Sequence, residues 1–192
     1  MKIRHTRLVN LAIFSVALLT AAAQTTDVDA ALLARANAGD AAAEVLAGES
    51  YAAGKGVAPD LKQAAAWYLK AAEQANLAGE IHLAALYRDG GKGFPRDMAQ
   101  ATAWYRKAAE QGDTGAQGAL GVLYSYGQGL AQNYVEAYYW LDLAAHVKGP
   151  KQEQYAANRQ MIGQKITADE LEAVEERVAQ WLAAHPRANA TE

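Results

Sequence analysis

Apolar and polar positions recur at helical spacing through the middle of the chain. After Asp60, the residues Ala64, Trp67, Ala71 and Ala72 fall three or four positions apart or side by side, which sets them on one stripe of a helix. The same slots hold Ala101, Trp104, Ala108 and Ala109, then Ala137, Trp140, Ala144 and Ala145. Large and small residues alternate on this stripe, so neighbouring helices can approach closely and interlock. The register is kept by independent markers. Tyr51, Tyr87 and Tyr124 are 36 and 37 residues apart, while Trp67, Trp104 and Trp140, like Gly56, Gly93 and Gly129, are 37 and 36 apart. A period of this length predicts stacked helical units that share one continuous core.

Each unit predicts two helices. In the first, helix A spans about Ala41 to Ala53 and breaks at Gly54-Lys55-Gly56, where glycine supplies a left-handed backbone cheaply. Pro59 and Asp60 then open helix B. Asp60 with Gln63, Asp97 with Gln100, and Asn133 with Glu136 resemble capping boxes. The extra residue of the second unit sits in its turn, at Gly90-Gly91.

The expected organisation follows: a leader over 1–23, an N-terminal capping helix over 24–40, and repeats over 41–76, 77–113 and 114–149. C-terminal capping helices cover 150–185 and a disordered tail covers 186–192. The capping helix ends in Ala38-Gly39-Asp40, which matches Gln111-Gly112-Asp113 and reads as a lone helix B. Behind the third repeat one helix is expected from about Lys151 to Gly163. A last helix begins at Thr167, boxed with Glu170. It sets Leu171, Val174, Val178, Trp181 and Leu182 on one face and Glu172, Glu175, Glu176 and Gln180 on the other, as suits the closing of a solenoid. The fold class is all-α, an α-solenoid of helix-turn-helix repeats.

These residues carry a resemblance. Each unit resembles the Sel-one-like repeat, a relative of the tetratricopeptide repeat. That pattern has an alanine, Leu-Gly and Tyr on helix A, a Gly-x-Gly turn, an Asp, and Ala-x-x-Trp-Tyr-x-x-Ala-Ala on helix B. The third unit matches it at Ala116, Leu120, Gly121, Tyr124, Gly127, Gly129, Asn133, Ala137, Trp140, Ala144 and Ala145. The second matches at Leu83, Tyr87, Gly91, Gly93, Asp97, Ala101, Trp104, Tyr105, Ala108 and Ala109, and the first is similar from Ala43 to Ala72. Ala84 replaces the helix A glycine in the second unit, and Leu141 replaces the helix B tyrosine in the third. The resemblance implies a protein-binding module.

Composition narrows the chemistry. The 192 residues include no cysteine, which excludes disulfides, thiolate metal sites and thiol nucleophiles from this sequence. Lys2, Arg4 and Arg7 precede an apolar run from Leu8 to Leu19, followed by Thr20 and Ala21-Ala22-Ala23. This reads as a signal peptide cleaved after Ala23, because the 16 residues from Leu8 to Ala23 fall short of the ~20 that span a bilayer. A periplasmic or secreted location is expected. Loss of the three basic residues would take the formal charge from −3 to −6, a balance unsuited to nucleic acid or anionic membrane.

No constellation for catalysis stands out. Gly90-Gly91-Lys92-Gly93 lacks the Gly-Lys-Ser/Thr ending of a phosphate loop and reads as a helix–helix turn. His5, His82, His146 and His185 show no metal-ligand spacing, and neither Gly-x-Ser-x-Gly nor Ser-x-x-Lys occurs. The register marks the three repeat tryptophans as core residues rather than an aromatic sugar platform. No cofactor is expected, and the chain is expected to be monomeric on its own.

The remaining candidate is the groove lined by helix A. From helix phase, partner-binding positions are assigned to Glu44, Glu49, Glu80, Arg88, Gln117 and Tyr126, and their acidic members point to a partner peptide carrying Lys or Arg. The leading expectation is an exported scaffold, adaptor or regulator for a protein or peptide partner. The alternatives are a structural subunit of an envelope assembly and a periplasmic hydrolase like the β-lactamase-labelled relatives. Those relatives are cysteine-rich, which this chain is not.

Overall fold

The computed structural model describes residues 29–186, and among these it has nine helices and no strand. They are α1 (Ala30–Asn37), α2 (Ala41–Ala53), α3 (Leu61–Glu73), α4 (Leu77–Asp89), α5 (Met98–Glu110), α6 (Thr114–Tyr126), α7 (Tyr134–His146), α8 (Gln152–Gly163) and α9 (Ala168–Ala184). Each packs chiefly on its neighbours along the chain, and α9 folds back onto α7. The architecture is an all-α solenoid of three helix pairs, with α1 ahead of them and α8 and α9 behind. The leader, and the tail beyond Pro186, lie outside the described residues.

Helix starts follow from side chains that satisfy otherwise orphaned backbone N–H groups. The Asp40, Asp97 and Asp113 carboxylates and the Asn76 and Asn133 amide oxygens each accept from a backbone N–H three residues on. Asp60 accepts from both Lys62 and Gln63. The reciprocal half of a capping box forms at Thr167, whose N–H donates to Glu170 Oε2 at 2.8 Å. At Asp60, Asp97 and Asn133 the hydrogen bonds run in the forward direction.

One bond repeats at every A-to-B turn. The N–H of Asp60, Asp97 and Asn133 donates to the carbonyl of Tyr51, Tyr87 and Tyr124 at 2.9, 2.8 and 3.1 Å. This explains why a tyrosine and a capping residue keep a nearly fixed spacing across repeats. The B-to-A junctions differ. Gly39 and Gly112 turn the chain at φ 87° and 92°, whereas the equivalent Ala75 is held at φ 56° with a Cβ that disfavours the left-handed region.

The core is built by small residues admitting large ones. Gly48 lies under the Tyr68 ring and Gly121 under Leu141, and a Cβ on either would come within 2.5 and 2.4 Å of them. Trp67 and Trp140 are buried as their register predicts. Trp104 is only partly buried, packed against the cores of the first two repeats and of the third. Its ring is covered by the Lys107 ammonium, 3.8 Å from the centroid, and Lys70 sits likewise 4.0 Å over Trp67.

Helix α7 breaks this pattern. Every residue from Ala137 to Ala145 is buried, since α6, α8 and α9 enclose it. Asp142 is among them, and its carboxylate takes a hydrogen bond and an ion pair from Arg159 of α8. The Tyr138 hydroxyl donates to Glu175 of α9 at 3.1 Å. Val174 and Val178 bury the inner face of α9, as its amphipathic pattern predicts.

Candidate functional site

The six positions assigned to partner binding divide into two groups. Glu44, Glu80 and Gln117 occupy one repeat register and are 3%, 2% and 1% exposed, so they present no contact surface. Glu44 accepts from the Gln74 amide at 2.7 Å, and Glu80 from Gln111 at 2.7 Å. Gln117 donates to the Ala109 carbonyl at 3.3 Å. Each ties the first turns of a helix A to the end of a helix B. Placement near a helix N-terminus suits the carboxylates, which meet the positive end of the dipole. Burial pushes the Glu80 carboxyl up, partly opposed by Lys107 and by the Gln111 bond.

Glu49, Arg88 and Tyr126 do reach solvent. Glu49 meets His82, whose Nε2 lies 3.2 Å from its carboxylate. The imidazole stacks on Tyr68 at 5.0 Å between centroids and 17° between planes. This trio fills the helix A face between the first and second repeats. Arg88 grips Asp89 through Nε and a terminal nitrogen, at 2.7 and 2.8 Å, and donates to the Tyr105 hydroxyl at 2.8 Å. The Arg88 guanidinium holds the Asp89 carboxyl below the usual carboxylate range. Tyr126 is 71% exposed.

Further along, the helix A face opens. Helices α4, α6 and α8 line a cavity of about 740 Å³ with Tyr105 of α5 at its base. Ile81 and Ala85 of α4 face Ala119 and Val122 of α6, and Tyr155 of α8 contributes a buried ring. That ring packs where Gly118 has no side chain, since a Cβ there would come within 2.2 Å of it. A second cavity of about 410 Å³ between α6 and α8 shares Val122 and Gln154 with the first and is lined by Tyr126 and Met161. Val122, Tyr126 and Met161 are 36%, 71% and 56% exposed, an apolar strip left to solvent. Arg88, Arg96 and Lys151 stand around the larger cavity, and Lys165 borders the smaller.

Two site residues were within reach of the sequence. Ala85 and Val122 lie 36 and 37 residues beyond Glu49 and its neighbour in register, so extending the Glu49 position through the repeats finds both. Arg96 lies in a turn and Lys151 ahead of α8, outside any repeat marker. The surface that results also changes the expected charge. With Glu44 and Glu80 buried, Glu49 is the one acidic member of the assigned set that reaches solvent, and the larger cavity is bordered by Arg88, Arg96 and Lys151 beside Asp89 and Asp113, which weakens the case for a Lys- or Arg-bearing partner peptide.

The Sel1 repeat model matches residues 41–76, 78–113 and 114–146, more than half of the chain. The chain belongs to the Sel1 repeat family. It is similar to the crystal structure of a Sel1 repeat protein from Oxalobacter formigenes, at 30% identity and a TM-score of 0.57, with 64% of this chain and 92% of that one covered. It is also similar to a protective antigen present in uropathogenic Escherichia coli strains that displays an SLR fold. There the identity is 29% and the TM-score 0.51, over 80% of this chain and 40% of that chain. No curated protein matches the chain. Sel1 repeat proteins are generally non-enzymatic scaffolds, and the fold suggests a protein-interaction scaffold here. Among the described residues no helix is long and apolar enough to cross a membrane, and no cluster of His, Asp or Glu forms a metal site.

Proposed function

We propose that this Sel1 repeat protein is exported and holds a protein partner by a segment laid in the groove between α4, α6 and α8. The observation that carries the reading is the groove itself. It pairs an open cavity, lined by the buried Tyr105 and Tyr155 rings among polar and charged side chains, with an exposed apolar strip, on the helix A face where repeat solenoids bind. Export rests on the basic and apolar pattern of residues 1–23. Arg88 and Val122 line this groove, and Tyr126 lines the smaller cavity that adjoins it at Val122. An adaptor or regulator of an envelope process fits these features.

The test has two parts. Amino-terminal sequencing of the protein from the producing cell should give Gln24 as the first residue; an intact Met1 in the cytoplasm removes the export reading. Purified protein used as bait should retain a partner from envelope extract that an Ala119→Trp variant, with its groove filled, does not retain. Retention of the same proteins by both forms counts against the groove.

A further inference from the structure

We infer that the segment held in the groove is acidic, carrying Asp or Glu beside an apolar anchor side chain. This rests on the groove reading above and specifies its occupant. The groove is locally opposite in sign to the chain. The protein has a formal charge of −3, yet four cations, Arg88, Arg96, Lys151 and Lys165, border the two joined cavities against two carboxylates, Asp89 and Asp113.

Both carboxylates are already engaged. Asp89 accepts two bonds from Arg88, and Asp113 Oδ1 accepts from the Ala116 N–H at 2.7 Å as the cap of α6. Three of the cations are not matched in this way. Among the described residues Arg96, Lys151 and Lys165 form no ion pair, and all three are exposed. Lys165 rests over the Tyr134 ring at 4.7 Å, which leaves its ammonium able to meet an anion. A basic segment entering this groove would face Lys151 and Lys165 without an ion pair, Arg96 only within electrostatic reach of Asp89, and no free carboxylate. An acidic one would complete their charge and be drawn by a field focused between low-dielectric walls.

The apolar half of the signature comes from Val122, Tyr126 and Met161. These large side chains remain exposed beside the cations, so an aliphatic or aromatic side chain next to the acidic residues would find cover there.

Short random peptides displayed on phage, selected on the purified chain, test the inference. The expected winners are enriched in Asp and Glu with an adjacent apolar residue. Their binding should be abolished by Ala119→Trp, weakened roughly tenfold or more by Arg96→Glu with Lys151→Glu, and weakened by added salt. Circular dichroism of each variant confirms that the helices persist. Peptides that are lost with Ala119→Trp, but are rich in Lys and Arg or indifferent to the charge reversal, overturn the acidic segment and leave the groove standing. Peptides that bind Ala119→Trp as well as the unmodified chain overturn the groove reading itself.

Discussion

Helices α5 and α7 are copies of the same repeat element, yet the solenoid treats them differently. α5 buries a stripe of Ala101, Thr102, Tyr105, Ala108 and Ala109 and leaves its outer side to solvent, with Lys107 laid over Trp104. α7 buries nine consecutive residues. Position by position, Arg106 and Lys107 of α5 correspond to Asp142 and Leu143 of α7, one an internal charge paired with Arg159 and the other core. The repeat register therefore dictates only the inward stripe, and the outer positions answer to whatever lies beyond them. At the C-terminal end α8 and α9 lie beyond, which makes α7 the anchor for α8 and so for one wall of the groove.

Truncating tryptophans in the two helices breaks this comparison most sharply. Trp140→Ala should cost about 3–5 kcal/mol, the range for a fully buried aromatic, and Trp104→Ala roughly 2 kcal/mol because part of its ring already meets solvent. Urea unfolding followed by circular dichroism measures both, and equal losses would mean that α7 is no better enclosed than α5. Trp140→Phe refines the point. The Trp140 Nε1 donor is buried without a protein partner, so its removal recovers desolvation and should hold the loss to about 1 kcal/mol.

Alkaline titration compares two phenols at opposite ends of the molecule. Burial, with Glu49 adding, pushes the Tyr68 hydroxyl up to about 12, and burial, with Asp142 and Glu175 adding, does the same for Tyr138. Their folded values lie above the unfolded value near 10. The stability they contribute is thus whole below about pH 10 and is lost as pH rises from there toward 12. Phenolate absorbance should show a late fraction that appears together with loss of helix. Complete ionisation by pH 11 with the helices intact would contradict the burial of both.

The smallest effect belongs to the junction ahead of α4. Ala75→Gly should stabilise the protein by about 0.5–1 kcal/mol, since glycine relieves the left-handed strain at a net entropic cost. The Gly112→Ala change at the matching junction should destabilise by a similar amount, and a thermal melt of each separates the signs.

Much of this fold was legible in the chain. The 36- and 37-residue spacing of tyrosine, tryptophan and glycine predicted the stacking, and the caps at Asp60, Asp97, Asn133 and Thr167 placed the starts of α3, α5, α7 and α9. The site was less legible for two physical reasons. Helix phase put Glu44, Glu80 and Gln117 in the groove, because nothing within helix A shows that their partners are Gln74, Gln111 and the Ala109 carbonyl at the ends of helix B. The groove also depends on α8, whose Tyr155 is seated by Gly118 but which lacks the markers of a repeat. A glycine on helix A can make room for its own helix B, as Gly48 does for Tyr68, or for the next unit, as Gly118 does. Sequence spacing does not distinguish the two.

The most direct test of the central claim places a photo-crosslinking residue at Val122 and at Arg88 in the producing cell, with Glu176 on the outer face of α9 as the control. Capture of the same protein from Val122 and Arg88, and not from Glu176, is the predicted result. Equal capture from all three positions, or capture from Glu176 alone, would contradict the groove as the working surface.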